Sequence, residues 1–282
     1  MMILVFGTTG QVARSLADLQ GDREIIFLGR NVVDLTAPEI CAELILSKRP
    51  SVVLNAAAYT AVDLAEEEET LARTVNAVAP GTMAAACTDL GVPFCHVSTD
   101  YVFSGSGVNP YKTHDTTDPQ NAYGRTKLAG EDAVRAAGGQ YAILRTSWVF
   151  SEYGGNFVKT MLRLSETRNA LNVVDDQIGG PTPARGIAEA LLTVADALRD
   201  GQTGGTYHYT GTPDVSWAAF ARGIFDRAGR DITVTGIPTT DYPTPARRPL
   251  NSRLDCSAIL ADFGIKQPSW QAELDRILKD LT

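Results

Sequence analysis

Short runs rich in apolar residues recur down the first half of the chain: "MILVF" from Met2, "EIIFL" from Glu24, "SVVLN" from Ser51, "PFCHVS" from Pro93 and "YAILRTS" from Tyr141. Each is separated from the next by a stretch long enough for a helix, the rhythm of repeated βαβ units on a parallel sheet. The runs are apolar throughout instead of alternating, which fits strands covered on both faces. The pattern therefore predicts an α/β fold, a Rossmann-like doubly wound parallel sheet.

After about residue 150 the rhythm loosens into "GGNFVKTMLRLSE", "NVVDDQIGGPTPARG" and a proline-rich stretch at 238–249, with helical periodicity at 184–199, 216–228 and 270–280. We expect residues 1–150 to form a dinucleotide-binding domain and 151–282 to form mainly a smaller C-terminal substrate-binding lobe, with 171–200 rejoining the first domain.

Composition narrows the function classes. The chain has 282 residues, 44% of them hydrophobic and 21% charged, as in a globular protein with a full core. A formal net charge of −8 with no basic block argues against nucleic acid as a partner. Apolar stretches fall short of the roughly 20 residues of a membrane span, so no membrane partner and a cytoplasmic location are expected. Cys41, Cys87, Cys95 and Cys256 are scattered without CxxC spacing or a nearby histidine, so we expect buried thiols and no metal site.

"GTTGQVARSL" follows the first predicted strand, with Gly7, Gly10 and Ala13 at the spacing of a GxxGxxG dinucleotide loop. Glycines there allow a tight turn and close approach of backbone to a pyrophosphate, while the following helix N-terminus offers unpaired N–H groups. Gly7, Thr9, Gly10, Gln11 and Val12 are thus candidate cofactor contacts. Where the second strand ends, an acidic residue would favour the ribose of NADH, but the chain reads "LGRN". Arg30 could instead pair with a 2′-phosphate, which favours NADPH over NADH, unless it is simply a surface charge. Asp34 and Leu35 are placed to border the adenine.

The third strand ends in "NAAAYTAVD", where Ala56, Ala57 and Ala58 form either a flat wall beside the cofactor crevice or a tight helix–sheet contact. The fourth ends in "HVSTDYVFSG", which places Ser98, Thr99 and Asp100 at the carboxyl edge where open parallel sheets bind ligands. "NAYGRTKLAGE" then sets Tyr123 and Lys127 four residues apart, on one face of a helix. A neighbouring ammonium would favour the phenolate and draw the tyrosine pKa towards the working range, suiting Tyr123 to proton transfer. A YxxxK pair alone is common; after a glycine loop and a strand-end Ser-Thr, in that order, it points to hydride-transfer chemistry.

Together these residues resemble the extended short-chain dehydrogenase/reductase superfamily. Within it, "NAAAYTAVDLAEEE", "VNAVAP", "HVSTDYVFSG", "AYGRTKLAGE", "LRTSWVF", "DDQIGGPT" and "RRPLNSRLD" are similar to successive signatures of the dTDP-4-dehydrorhamnose reductases and span nearly the whole chain. The resemblance implies reduction of the C4 ketone of dTDP-4-dehydro-6-deoxy-L-mannose to dTDP-L-rhamnose by NADPH or NADH. It implies a catalytic triad of Thr99, Tyr123 and Lys127, and adds Tyr59 and Asn76 to the cofactor contacts. By the same pattern Thr60, Val62, Asp63, Asp100, Tyr101 and Trp148 line the sugar pocket, and Asn156, Gln177, Arg247 and Asn251 lie near the nucleotide or its pyrophosphate. Arg247 and Arg248, between prolines, supply the local cations that a diphosphate needs in an acidic protein.

Two positions depart from the pattern: Leu64 stands where lysine is common, and Ala13 replaces the third glycine. Some relatives form homodimers through a metal, magnesium, held by acidic residues near the first helix; "QVARSLADL" brings Arg14 and Ser15 there instead, against that form of dimer. A 4,6-dehydratase of the same superfamily would carry a second carboxylate after Asp100, where this chain has Tyr101. Another nucleotide-sugar reductase or epimerase, and a non-catalytic subunit like that of methionine adenosyltransferase, stay open as alternatives.

Overall fold

A computed structural model describes residues 2–281. Its first half alternates β1 (Met2–Phe6), α1 (Gln11–Asp18), β2 (Glu24–Leu28), α2 (Pro38–Lys48), β3 (Val52–Asn55), α3 (Glu69–Arg73), α4 (Ala79–Leu90), β4 (Phe94–Thr99), α5 (Ala122–Ala136) and β5 (Tyr141–Thr146). A π-helical turn, Thr74–Val78, joins α3 to α4. The second half adds β6 (Val149–Phe150), α6 (Phe157–Ser165), β7 (Ala170–Val174), β8 (Ile178–Gly179), β9 (Thr182–Pro183), α7 (Ala184–Arg199) and β10 (Gly205–His208). It closes with β11 (Val215–Ser216), α8 (Trp217–Arg227), β12 (Thr233–Ile237), β13 (Asn251–Ser252), α9 (Ser257–Phe263) and α10 (Trp270–Leu281).

Six strands form one sheet in the order β10-β5-β4-β3-β1-β2, with every pairing parallel. This is the doubly wound sheet that the apolar runs predict. Within β1, Ile3 and Val5 face a core shared with α1 and α7, whereas Leu4 and Phe6 face one shared with α2 and α4. Successive side chains point to opposite faces of a strand, so a strand covered on both sides must be apolar at every position.

The chain reverses direction across the sheet between β1 and β3, and the crevice above those two carboxyl ends is where such sheets bind ligands. Helix α7 and strand β10 return from the second half, the helix burying Ile187, Leu191 and Val194 under the sheet and the strand extending its edge beside β5. The segment that rejoins the sheet therefore runs to residue 208 and excludes β7, which pairs with β12 in a separate two-stranded sheet. A third core gathers Phe150, Met161, Leu171, Phe220, Trp270 and Leu274.

Candidate active site

Gly7 leaves β1 with a φ of +123°, a conformation costly for any other residue, and a Cβ there would come within 3.4 Å of Ala13 and 3.5 Å of the Ala56 backbone. Its N–H donates to the Leu28 carbonyl at 2.8 Å, which ties the loop to the end of β2. Gly10 then caps α1 with ordinary angles and no side-chain bond, and a Cβ on it would meet nothing within 4 Å. Thr8, Thr9 and Gly10 are exposed while Val12 turns into the core. An open, uncapped helix start beside exposed loop backbone fits an anionic dinucleotide, since the first N–H groups and the helix dipole both face it.

The Gln11 side chain links the glycine loop to the second half of the chain. Its amide bonds the Val149 carbonyl at 3.3 Å, and its Oε1 accepts from Ser151 Oγ at 2.8 Å and Asn156 Nδ2 at 3.0 Å, which fastens the loop to the smaller lobe. Asn156 is equally occupied, donating to the Ser151 and Tyr153 carbonyls and capping α6. At the end of β2, the Arg30 side chain is 80% exposed and forms a 3.5 Å ion pair with Asp34. Asp34 sits below its ordinary pKa chiefly through the Thr36 N–H, and Leu35 packs partly buried on the sheet core.

Beyond β3, Ala56, Ala57, Ala58 and Tyr59 are half-buried, and Thr60 is exposed. Asn76, fully buried in the π-helical turn, accepts from the Tyr59 N–H at 2.8 Å and donates to the Tyr59 carbonyl at 3.1 Å and to Thr126 Oγ1 at 3.2 Å. Its amide thus clamps the Tyr59 loop to α5. π-Helical turns concentrate at functional sites, and this one places the clamp.

Thr99, at the end of β4, donates to Asp100 Oδ1 at 3.1 Å and accepts from the Tyr101 N–H at 3.2 Å. The second Asp100 oxygen and the Ser252 hydroxyl, both buried, lack an aligned partner among the described residues. Burial pushes Asp100 up to about 6, against the pull of the Ser252 and Thr99 hydroxyls. Helix α5 begins at Asn121, whose Oδ1 accepts from the Gly124 N–H at 2.8 Å. Tyr123 follows within that first turn, its ring edge-on to Tyr101 with centroids 5.5 Å apart.

Burial raises the Tyr123 pKa above its ordinary value; the Thr99 hydroxyl opposes this, and the charges of Asp100 and Tyr101 add to it. Lys127, one turn further along α5, bonds to the sheet beneath. Its Nζ is turned down, donating to the Val97 carbonyl at 2.7 Å and lying 3.1 Å from His96 Nε2. Burial brings Lys127 down to about 8, with Glu131 one turn below pulling the other way. Tyr123 is therefore a protonated phenol, the form an acid needs.

Asp63 binds Arg248 at 2.7 Å, and Arg248 also donates to the Tyr101 phenol at 3.2 Å. Burial takes Tyr101 up to about 12 although Arg248 pulls it down. Val62 is half-buried beside Asp63. Arg248 thus joins the site directly, whereas its neighbour Arg247 is exposed and donates to Gln120 at 3.1 Å. Two adjacent arginines between prolines carry no signal of which turns inward.

A cleft of about 400 Å³ adjoins these residues, walled by Ser104–Ser106 on one side and the 239–250 loop, with Tyr242, Arg247 and Arg248, on the other. Asn251 braces the first wall, donating to the Ser106 and Asn109 carbonyls. Gln177 braces the second through Thr239 Oγ1 at 3.0 Å. Trp148 holds a left-handed φ of +49° and stacks at 3.6 Å on Trp217, a partner the sequence did not suggest. Among the described residues, no group of three His, Cys, Asp or Glu gathers as a metal site, and no helix is long and apolar enough to cross a membrane.

The comparisons with known proteins agree over the full length. The family model described as RmlD substrate binding domain matches residues 1–282. A dTDP-4-dehydrorhamnose reductase of Sinorhizobium fredii is 45% identical over 99% of this chain and 97% of its own. A crystal structure of a dTDP-4-dehydrorhamnose reductase from Clostridium acetobutylicum superposes with a TM-score of 0.94 at 37% identity, covering 100% of this chain and 99% of the other. One from Bacillus anthracis, in complex with NADP, does so with a TM-score of 0.92 at 34% identity over 99% of each. With glycine loop, Thr-Tyr-Lys group and whole-length likeness in agreement, the chain belongs to the dTDP-4-dehydrorhamnose reductase family.

Proposed function

We propose that this protein reduces the C4 ketone of dTDP-4-dehydro-6-deoxy-L-mannose to dTDP-L-rhamnose in the cytoplasm, with NADPH preferred to NADH. The observation that carries this is the placement of Tyr123, in the first turn of α5, against the loop that follows Thr99 at the carboxyl end of β4, next to the crevice where the sheet reverses. A bound nicotinamide supplies the hydride to the ketone carbon. Tyr123 gives its phenolic proton to the oxygen that gains charge, and burial keeps that proton in place until then. The Thr99 hydroxyl swings from Asp100 to hold the same oxygen in line.

Gly7, Thr9 and Gly10 receive the pyrophosphate, and Arg30 reaches the 2′-phosphate from its exposed position. Trp148, stacked on Trp217, offers the hexose a flat apolar face. Arg247 and Tyr242 face the nucleotide across the cleft. The residue after Asp100 is a phenol bonded to Arg248 and not a carboxylate, so the base needed for loss of water is missing from the dehydratase position.

The test is NADPH and NADH oxidation with the 4-keto sugar generated in place by dehydratase and epimerase. Tyr123→Phe is expected to bind cofactor normally and lose about 10²-fold or more in kcat. Near-normal turnover in that variant would remove the acid from this scheme.

A further inference from the structure

Beneath Lys127 lies a buried row of side chains that the reaction scheme leaves unused. Lys127 is 1% exposed, His96 0% and Asn55 1%. His96 sits on β4 with Nε2 at 3.1 Å from Lys127 Nζ and Nδ1 at 3.2 Å from Asn55 Nδ2. Asn55 ends β3, and its Oδ1 accepts from the Ala57 N–H at 3.1 Å.

A backbone N–H is always a donor, so the Ala57 contact decides which way the Asn55 amide is turned. Its oxygen faces Ala57, and its NH₂ faces His96. Nδ1 of the histidine must then accept, which leaves the ring proton on Nε2, directed at Lys127. An ammonium has three donors and no acceptor, so Lys127 in its charged form opposes that N–H, whereas the amine accepts from it. The Val97 carbonyl, at 2.7 Å, fixes the Lys127 side chain in reach of this contact.

From this geometry we infer that His96, its tautomer set by Asn55, is a positioning residue that fixes the rotamer of Lys127 and favours its uncharged form. The other charges around Lys127 act differently. Glu131, on the same helix, favours the ammonium, but its carboxylate is already claimed by Arg145 at 2.7 Å, Arg135 at 2.6 Å and Ser98 at 2.6 Å. Asp100 and Tyr101 act on Tyr123. Burial works in the same direction as His96, and the lysine titrates close to the working range. The inference rests on Lys127 belonging to the catalytic group.

Asn55→Asp keeps the shape and reverses the tautomer. A carboxylate can still accept from Ala57 while its second oxygen accepts from His96 Nδ1–H, which frees Nε2 to accept from an ammonium. The experiment uses enzyme labelled with ¹⁵N-histidine and ¹³C-lysine, without cofactor. Only three histidines are present, so the His96 tautomer is readable from long-range proton–nitrogen correlations.

We expect Nε2–H in the wild type and Nδ1–H in Asn55→Asp. The Lys127 ¹³Cε titration should move to higher pH by about one unit or more, and the alkaline limb of kcat/KM should move with it. Nδ1–H in the wild type overturns the inference even if the variant fails to fold. An unchanged tautomer in the variant, or a lysine titration that moves while the kcat/KM profile stays in place, also overturns it. Failure of the triad itself shows separately, as full activity in Tyr123→Phe.

Discussion

Gly124 lies against the Tyr101 carbonyl so closely that a Cβ on Gly124 would stand 2.2 Å from that oxygen. The contact brings the first turn of α5, with Tyr123 in it, onto the loop that follows Thr99. Backbone cannot yield to a methyl group there as a flexible side chain could. Gly124→Ala should therefore shift Tyr123 relative to Thr99 and lower kcat by about 10²-fold, as misplacement of about 1 Å does. Steady-state kinetics beside thermal unfolding check this: kcat should fall even under conditions where the variant is fully folded.

Asp100 sets stability against chemistry. Burial raises its pKa from 3.8 to about 6, so the native state holds the proton more tightly than the unfolded chain. The corresponding stabilisation is complete below about pH 4 and is lost as pH rises through about 6, leaving the ionised carboxylate costly at neutral pH. Asp100→Asn should therefore gain up to about 3 kcal/mol at pH 8 and little at pH 4. It should also lose activity, because the Thr99 hydroxyl is no longer held by a charge. Urea unfolding at the two pH values, with kinetics, tests both halves.

Glu131 and Arg145 form a buried ion pair at 2.7 Å with 0% and 2% side-chain exposure. Burial alone would raise the Glu131 pKa, but the bonds and charge of Arg145, helped by Ser98 and Arg135, hold it below its ordinary value of 4.5. Arg145→Met removes the main partner and should cost about 3–5 kcal/mol at neutral pH. Because the carboxylate's contribution is present above pH 4.5 and lost as pH falls below it, the difference from wild type should shrink in acid. Chemical denaturation across that range reads it.

Arg30 should separate the two cofactors. Its guanidinium is exposed and, among the described residues, paired with Asp34 at 3.5 Å, so its other N–H groups can form charge-assisted bonds to a phosphate. Arg30→Ala is expected to raise KM for NADPH about tenfold and leave KM for NADH nearly unchanged. Equal effects on both cofactors would return Arg30 to an ordinary surface charge.

The strands, the glycine loop and the Tyr123–Lys127 spacing are legible in the chain because each depends on neighbours a few residues apart. Apolar runs mark strands buried on both faces, and i to i+4 spacing marks a helix face. What 171–200 does is less legible: β7 pairs with β12, while β10 joins β5, and strand partners far apart in sequence leave no local trace. The same limit hides the work of Asn76 and Asn251, whose amides brace distant backbone, and that of Arg248, which reaches Asp63 across 185 positions.

Charge is where tertiary structure decides most. The YxxxK pattern suggests a phenol lowered by an ammonium, yet the fold turns Lys127 towards Val97 and His96 and buries Tyr123, which raises it. The pattern determined which groups share a helix face. Burial and long-range partners set their protonation, because desolvation depends on everything packed around a group and not on its place in the chain.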